Sequence, residues 1–445
     1  MNLSAELFAI IALVAGAVVL LGLVGPLTKQ PMAVAAIGVA ALVVVVLLAL
    51  LGSPSSVVAR LVLCGVAAAA AVALLLVPSL ELHQDSQRPE VAALILLGSA
   101  GAIALATGTD LLQMILGLET LSLSVAVLLA LGAGERPLEA AFRYFVLAAI
   151  SLATYLYGLG LVYLSTGSLA IPSADAFSAG GPLLMVGITL VVLGIVFELA
   201  VVPLQWGLLD VYTAAPPAVA GYAMATAKLA AVIALVRIAA PSGGAIGEVF
   251  IALGVLSIAW GTVGAMSQRE LRRMLAYSAV VHAGFLTLAL GSGADGLNAA
   301  IFYVVVYAAT SLLVFASLAG RGTGGLPLSA ISLERLGPLR AAGLALGLLS
   351  LAGIPPAPGF WAKLAVLGPA WQVAGAWPTI IALIGGVAGV LYYLRPLPDL
   401  LAAAREGGLA RPLVGSAVIL AALAVVVMGL APGLVWSFAG LIRGG

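Results

Sequence analysis

Charge is what this sequence has least of. Lysine, arginine, aspartate and glutamate together make up 8% of the 445 residues, where a soluble globular protein carries about 25%. Hydrophobic residues make up 64%, and no water-soluble fold of this size hides such an excess of apolar surface. A soluble enzyme is therefore excluded. The 18 basic residues are matched by 17 acidic ones, for a formal charge of +1. That excludes a nucleic-acid binder, which carries a basic excess. Cysteine occurs once, as Cys64 in an apolar run. A disulfide framework and a Cys-ligated iron–sulfur or zinc site are both excluded, and Cys64 reads as a small buried hydrophobe. The two histidines, His83 and His282, lie too far apart in sequence for a bis-histidine haem stack on one helix pair. No redox centre is expected on this chain. There is also no P-loop, no dinucleotide-binding glycine fingerprint and no carboxylate cluster suited to a metal.

What is present is a succession of long apolar runs. A helix needs about 20 apolar residues to cross a bilayer. About fourteen such runs are found, near 4–25, 31–52, 57–78, 90–108, 110–133, 138–166, 182–207, 215–239, 247–267, 271–292, 297–319, 339–369, 376–397 and 412–440. The opening MNLSAELFAI lacks the basic stretch of a signal peptide, so the first run is expected to be a retained helix. The 23 prolines and 53 glycines speak against a simple coiled coil. The expected fold class is an all-α polytopic membrane protein. Two runs carry internal proline, VVPLQW around Pro203 and AGIPPAPGFW around Pro355, Pro356 and Pro358. Proline breaks the helical ladder, and in lipid this is tolerated only where other groups or a cavity satisfy the freed backbone. Each break reads as a plain proline kink or, since the two stand in similar surroundings about 150 residues apart, as part of an inverted or parallel repeat.

Lysine and arginine in alternate loops give the orientation. With the N-terminus outside, the cytoplasmic loops hold Lys29, Arg88, Arg136, Arg269, Arg272, Arg273, Arg321, Arg335, Arg340, Arg395, Arg405 and Arg411, against Arg60, Arg237 and Arg443 on the other side. That is twelve against three. It supports an even number of spans and an outside N-terminus.

Removing the loop charges leaves a short set of ionisable residues inside the runs. A charge at the bilayer centre costs about 2.5–3.5 kcal/mol on insertion scales and marks a functional site by default. The clearest are Glu119 in MILGLETLSLS, Glu198 in LGIVFELAVVP, Lys228 in AMATAKLAAV and Lys363 in PGFWAKLAVL. Arg143 and His282 lie closer to helix ends, still in apolar surroundings. The chain has three lysines, Lys29, Lys228 and Lys363, and two of them sit mid-membrane. Any one such residue could be a buried charge that only locks helix packing. Together they read as a hydrophilic axis, in which acid and amine groups linked by water hand protons along a file. Glu198 precedes one proline break and Lys363 follows the other, where an ion path needs a titratable group. His282 reads either as a packing histidine or as a proton relay.

These residues stand in segments that resemble a known family, the antiporter-like membrane subunits of proton-pumping NADH–quinone oxidoreductase (complex I). LGLETLSLSVAVLLAL and EAAFRYFVLAAISLATYLYGLGLVYLSTGSL resemble that family's fifth and sixth helices. PLQWGLLDVYTAAPPAVAGYAMATAKLA resembles its broken seventh helix, the following loop and the eighth. RELRRMLAYSAVVHAGFL resembles the tenth, and LLSLAGIPPAPGFWAKLAVL the broken twelfth. The resemblance covers about residues 90–397, in order.

It implies about 14 transmembrane helices with two inverted five-helix repeats containing broken helices. The division would be a three-helix segment over 1–89, a first repeat over 90–239 (helices four to eight), a second over 240–397 (helices nine to thirteen) and helix fourteen in 398–445. A chain this short with a lysine in its twelfth helix is most like subunit N. By the resemblance, Glu119 falls on the helix-five glutamate, Lys228 on the helix-eight lysine, Lys363 on the helix-twelve lysine and His282 on the helix-ten histidine. Arg143 stands where helix six often has a basic residue. Glu198 departs from the pattern, which has lysine in the seventh helix. The nearby Pro-Phe-His-x-Trp reads Pro203, Leu204, Gln205, Trp206, Gly207 here. Two carboxylates then occupy the place of an acid–lysine pair: they would share a proton, or Glu198 would pair with Lys228, or only the Lys363 half would conduct.

The implied activity is proton translocation as a membrane-arm subunit, driven by quinone reduction elsewhere in the complex. No cofactor is expected on this chain. NAD, FMN, iron–sulfur clusters and quinone are expected in partner subunits, and the partners are the other membrane-arm subunits and the lipid bilayer. The implied location is a bacterial inner membrane. The rival readings are a subunit of a multi-subunit cation/proton antiporter or of a membrane-bound hydrogenase-type complex, and a non-conducting structural subunit.

Overall fold

The computed structural model describes residues 4–24, 31–320, 336–403, 412–433 and 436. Lys29, Arg321, Arg335, Arg405, Arg411 and Arg443, used above for the orientation, lie outside the described residues. The helices are α1 (Ala5–Val19, extended by a π-helical turn Leu20–Val24), α2 (Pro31–Leu51), α3 (Val57–Leu76), α4 (Arg88–Thr107), α5 (Leu111–Ala130) and α6 (Glu135–Thr166). They continue with α7 (Gly181–Val196), α8 (Trp206–Ala214), α9 (Pro217–Ala239), α10 (Gly247–Ser267), α11 (Leu271–Leu290) and α12 (Gly293–Ser317). The last four are α13 (Pro338–Ala352), α14 (Pro358–Val373), α15 (Ala376–Leu394) and α16 (Pro412–Leu430). Short helices at Ala174–Ala179 and Leu397–Ala403 join their neighbours.

Among the described residues, thirteen helices are long and apolar enough to cross a membrane. The twelfth apolar run is divided between α13 and α14, of 15 and 16 residues. Each alone is about 23 Å long at 1.5 Å per residue, short of the hydrocarbon thickness. With this divided run, the thirteen account for the fourteen runs expected.

Local chemistry starts these helices where the sequence allows. Ser4, Ser56 and Asp110 cap α1, α3 and α5, accepting from the backbone amides of Leu7, Ala59 and Gln113. Proline stands in the first turn of α4, α9, α13 and α14, where its missing N–H costs nothing.

Between helices the contacts run through small residues, since lipid gives no hydrophobic drive for one helix to leave it for another. α4 packs on α5, and α10 on α11, in extended contact. A Cβ placed on Gly117 would lie 2.3 Å from the backbone nitrogen of Leu105, and one on Gly101 2.6 Å from that of Leu121. Gly254 and Gly284 meet in the same way, each 2.8 Å from a backbone nitrogen of the facing helix. Only glycine lets the two backbones come so near.

α9, α11 and α12 form the centre of the bundle. The most apolar stretch of α9 is wholly buried, and that of α11 and α12 nearly so. The two proline-marked runs are broken as expected, although each helix ends before its proline. α7 passes into a 3₁₀ turn at Phe197–Leu199 and stops at Ala200, whose φ is +65°. α13 stops at Gly353, with φ +80°. The connections contain cis peptides at Val202–Pro203 and Pro355–Pro356.

Candidate functional site

Glu198 sits at the very end of the α7 segment and is 0% exposed. Its Oε1 accepts from Ser122 Oγ at 2.5 Å and from Tyr144 Oη at 3.0 Å, while Oε2 is buried without a partner. Ser122 is three residues beyond Glu119 on α5, so both side chains rise from one helix face. Glu119 is half-buried there and close enough to Glu198 for their charges to interact. Glu198 is bonded to Ser122, one turn from Glu119 on the same helix, and no direct bond joins the two carboxylates among the described residues.

Lys228, in the enclosed α9, is also 0% exposed. Its Nζ donates to the carbonyl of Leu199 and to that of Ala279 at 3.3 Å. Leu199 lies at the break in the seventh span, where helical carbonyls lose their amide partners. Lys228 thus satisfies an acceptor that the break has freed, at a helix end whose dipole favours a cation. Glu198 and Lys228 interact electrostatically, but no ion pair within 4 Å joins them among the described residues.

Lys363 repeats this arrangement at the second break. It lies on α14, just past Pro358, and its Nζ donates to the carbonyl of Ala352 at 2.8 Å. Ala352 is the last residue of α13. A Cβ on Gly353 would stand 3.0 Å from Lys363 Cδ, so the glycine leaves the space the lysine stem occupies.

His282, on α11, stands between the two lysines and interacts with both charges. Its Nδ1 and Tyr303 Oη are 2.7 Å apart, and its Nε2 and Tyr393 Oη 3.1 Å. The Tyr307 ring lies 4.9 Å from the imidazole and 5.5 Å from Lys228 Nζ. Tyr392 adjoins Tyr393, with ring centroids 4.5 Å apart. On the other side Tyr212 has its ring 5.9 Å from Lys228 Nζ and its hydroxyl buried without a partner. Phenols therefore fill the intervals between Glu198, Lys228, His282 and Lys363.

Arg143 stands apart from this group. It is exposed and paired with Glu139 at 2.5 Å and Asp210 at 3.1 Å. Both partners are exposed too, so the triplet is a surface network beside a cavity lined by Trp206 and Arg273. Arg272, counted from sequence as a loop charge, is 1% exposed at the start of α11. It donates to the carbonyls of Ala215 and, at 3.5 Å, Tyr212. Through Nη2 the guanidinium closes the end of α8, while Nε and Nη1 are buried without a partner among the described residues.

Sequence reasoning missed Tyr144, Tyr212, Tyr303, Tyr307, Tyr392 and Tyr393. Two signals were available. A buried phenol needs a partner for its hydroxyl, and Tyr303 and Tyr307 stand four apart, on one helix face. No sequence signal relates Tyr392 and Tyr393 to His282, 111 residues from Tyr393.

The chain matches known proteins over the same region. The family model described as "NADH:quinone oxidoreductase/Mrp antiporter, TM" covers residues 108–391. NADH-quinone oxidoreductase subunit 14 of Thermus thermophilus is 35% identical over 354 residues, 79% of this chain and 80% of that protein. NADH-quinone oxidoreductase subunit N of Acidithiobacillus ferrooxidans is 33% identical over 374 residues, 79% of this chain and 77% of that one. In structure, a chain of respiratory complex I from Thermus thermophilus superimposes with a TM-score of 0.82 at 30% identity, covering 96% of this chain and 98% of that one. The fold is shared with a chain of an archaeal membrane-bound sulfane sulfur reductase, with a TM-score of 0.87 at 21% identity over 98% of this chain and 96% of that one. The chain belongs to the NADH:quinone oxidoreductase/Mrp antiporter family of membrane subunits and within it resembles subunit N.

Proposed function

We propose that this chain is a proton-translocating membrane-arm subunit of a bacterial NADH-quinone oxidoreductase. The single observation that carries the reading is the chain of buried and half-buried ionisable groups from Glu119 and Glu198 through Lys228 and His282 to Lys363, with phenols in the intervals. Charges at membrane depth are costly, and such residues mark a functional path by default. Glu119 with Glu198 forms a coupled carboxylate gate in which one proton is shared, because adjacent carboxylates do not both ionise readily. Lys228 is the central relay and Lys363 the exit-side proton holder. His282 passes protons between the two halves, with water completing the gaps between the phenols. Moving a proton at one site changes the affinity of the next, which lets a charge change at one end travel the length of the axis.

Energy comes from quinone reduction in partner subunits, which also hold NAD, FMN and the iron–sulfur clusters. The residues 90–239 and 240–397 form the two repeats, each contributing one broken helix. The chain lies in the inner membrane with its N-terminus on the outer side, flanked by other membrane-arm subunits. Arg143 falls outside this path.

The test is proton uptake by sealed vesicles containing the complex, with electron transfer followed in the same samples. Lys363→Ala and Glu198→Gln are both expected to depress pumping and coupled turnover. If Glu198→Gln is silent while Lys363→Ala is not, only the second half conducts. If neither changes either rate, the chain is a structural subunit and the proposal fails.

A further inference from the structure

Away from the charged axis, an apolar groove of about 400 Å³ opens where α2, α3, α9, α12 and α16 meet. Cys64, Gly65 and Ala68 of α3 face Ala308 and Ala309 of α12 across it, so small side chains create the space. Among the described residues that line it, Arg60 is the only charged one. Water in such a groove would find no hydrogen-bond partners along its length. Hydrocarbon fits it without loss.

Arg60 itself has no local reason to be there. It lies in the first turn of α3, where the helix dipole opposes a cation and attracts an anion. It is exposed, and no acidic side chain pairs with it among the described residues. Glu6, at the same end of the bundle, is already engaged, its Oε1 accepting from the Ser55 amide and hydroxyl at 2.7 Å each. Arg60 is also one of only three basic residues on the side of the membrane that the charge count assigns to the exterior, so the bias of loop charge does not explain it.

Geometry joins the two features. Arg60, Cys64 and Ala68 are spaced four residues apart and form one stripe on α3. The stripe runs about 12 Å from the helix end toward the middle of the membrane. A headgroup at Arg60 therefore has its own tail aligned with the groove. We infer that the groove holds one acyl chain of an anionic glycerophospholipid whose phosphate is bound by Arg60. Leu229, next in sequence to Lys228, forms the inner wall, so the lipid packs against the helix that carries the central lysine. The inference requires that the chain span a membrane and does not require that it move protons.

The experiment uses the whole complex in vesicles of phosphatidylcholine and phosphatidylglycerol, with a trace of phosphatidylglycerol bearing a diazirine on its acyl chain. After irradiation, labelled peptides are mapped by mass spectrometry. Label is expected over Cys64–Ala68 and Ala308–Leu312, displaced by unlabelled phosphatidylglycerol and not by phosphatidylcholine. Arg60→Gln, an exposed substitution that leaves the fold intact, is expected to lower this label about fivefold, the preference one basic side chain gives at an anionic surface. Arg60→Lys restores it, and Ala68→Phe, which fills the groove from its exposed side, removes it. Equal labelling by a phosphatidylcholine probe, unmoved by Arg60→Gln, would mean that bulk lipid enters without headgroup selection and would overturn the inference. Absence of label from both segments would mean that protein covers the groove, and would overturn it too.

Discussion

The amine of Lys363 and the carbonyl of Ala352 are 2.8 Å apart across the break in the twelfth span, and Lys228 makes the same bond to Leu199 at the break in the seventh. Each of the two lysines, Lys228 buried and Lys363 half-buried, is thus held by an acceptor that exists only because a helix has stopped. An unbroken helix would consume that carbonyl in its own ladder. The proline runs and the two lysines, separate features in sequence, are parts of one device.

The glycine at the second break is therefore expected to resist substitution. Gly353→Ala places a side chain at φ +80°, a conformation that costs about 1–2 kcal/mol for an L-residue, and crowds the Lys363 stem. The melting temperature of the purified complex should fall and coupled turnover with it. Ala200 already holds φ +65° at the first break, so Ala200→Gly should stabilise by up to about 1 kcal/mol. A melting curve for each variant decides both.

Glu198 separates charge from packing. Glu198→Gln keeps an oxygen facing Ser122 and Tyr144, so the complex should assemble and melt like the parent while pumping is lost. Glu198→Leu removes the carboxylate that accepts from both buried hydroxyls, at about 1–3 kcal/mol for a donor left unsatisfied, and should lower stability as well. Equal melting temperatures for the two variants would show that the hydroxyls do not depend on the carboxylate.

Tyr303 and Tyr393 hold the two nitrogens of His282. Tyr303→Phe and Tyr393→Phe each remove a bond worth about 1 kcal/mol, and each should slow the initial rate of acidification by more than it lowers stability. In the double variant the losses should be non-additive, because both act on one ring. Tyr163→Phe, at an exposed phenol, serves as the control and should change nothing.

Arg143→Ala should leave pumping and melting within experimental scatter. Its two ion pairs lie on the surface, where solvent and salt screen them. A clear loss of pumping, with electron transfer intact, would return Arg143 to the path.

Gly117→Ala tests the packing of α4 on α5. The added carbon meets the Leu105 backbone nitrogen at 2.3 Å, and overpacking of this kind costs about 1–3 kcal/mol. Gly160→Ala, in α6 with open space around its Cα, should stabilise slightly through helix propensity. Thermal unfolding of the two variants in parallel gives the sign of each.

The sequence by itself determined the span count, the two breaks and the burial of Glu198, Lys228 and His282. Those properties are local: about 20 apolar residues make a crossing wherever they occur, proline removes a backbone donor and weakens the helical ladder at its own position, and a lysine in an apolar run is costly in any fold. It also marked Glu119 and Glu198 as a pair in question, because both stand in segments with a family pattern.

Tertiary structure alone decided which residues meet. Arg143 and Arg272 illustrate the difference. Arg143 lies two turns into α6 and Arg272 in the first turn of α11, yet the former is exposed beside two carboxylates and the latter is sealed under the end of α8. The phenols around His282 come from α12 and α15, tens to more than a hundred residues away. Their partners are fixed by how helices cross, and crossings depend on where glycines let backbones approach. A one-dimensional pattern of apolar runs carries the length of each helix and the cost of each charge, but not the neighbour on the facing helix.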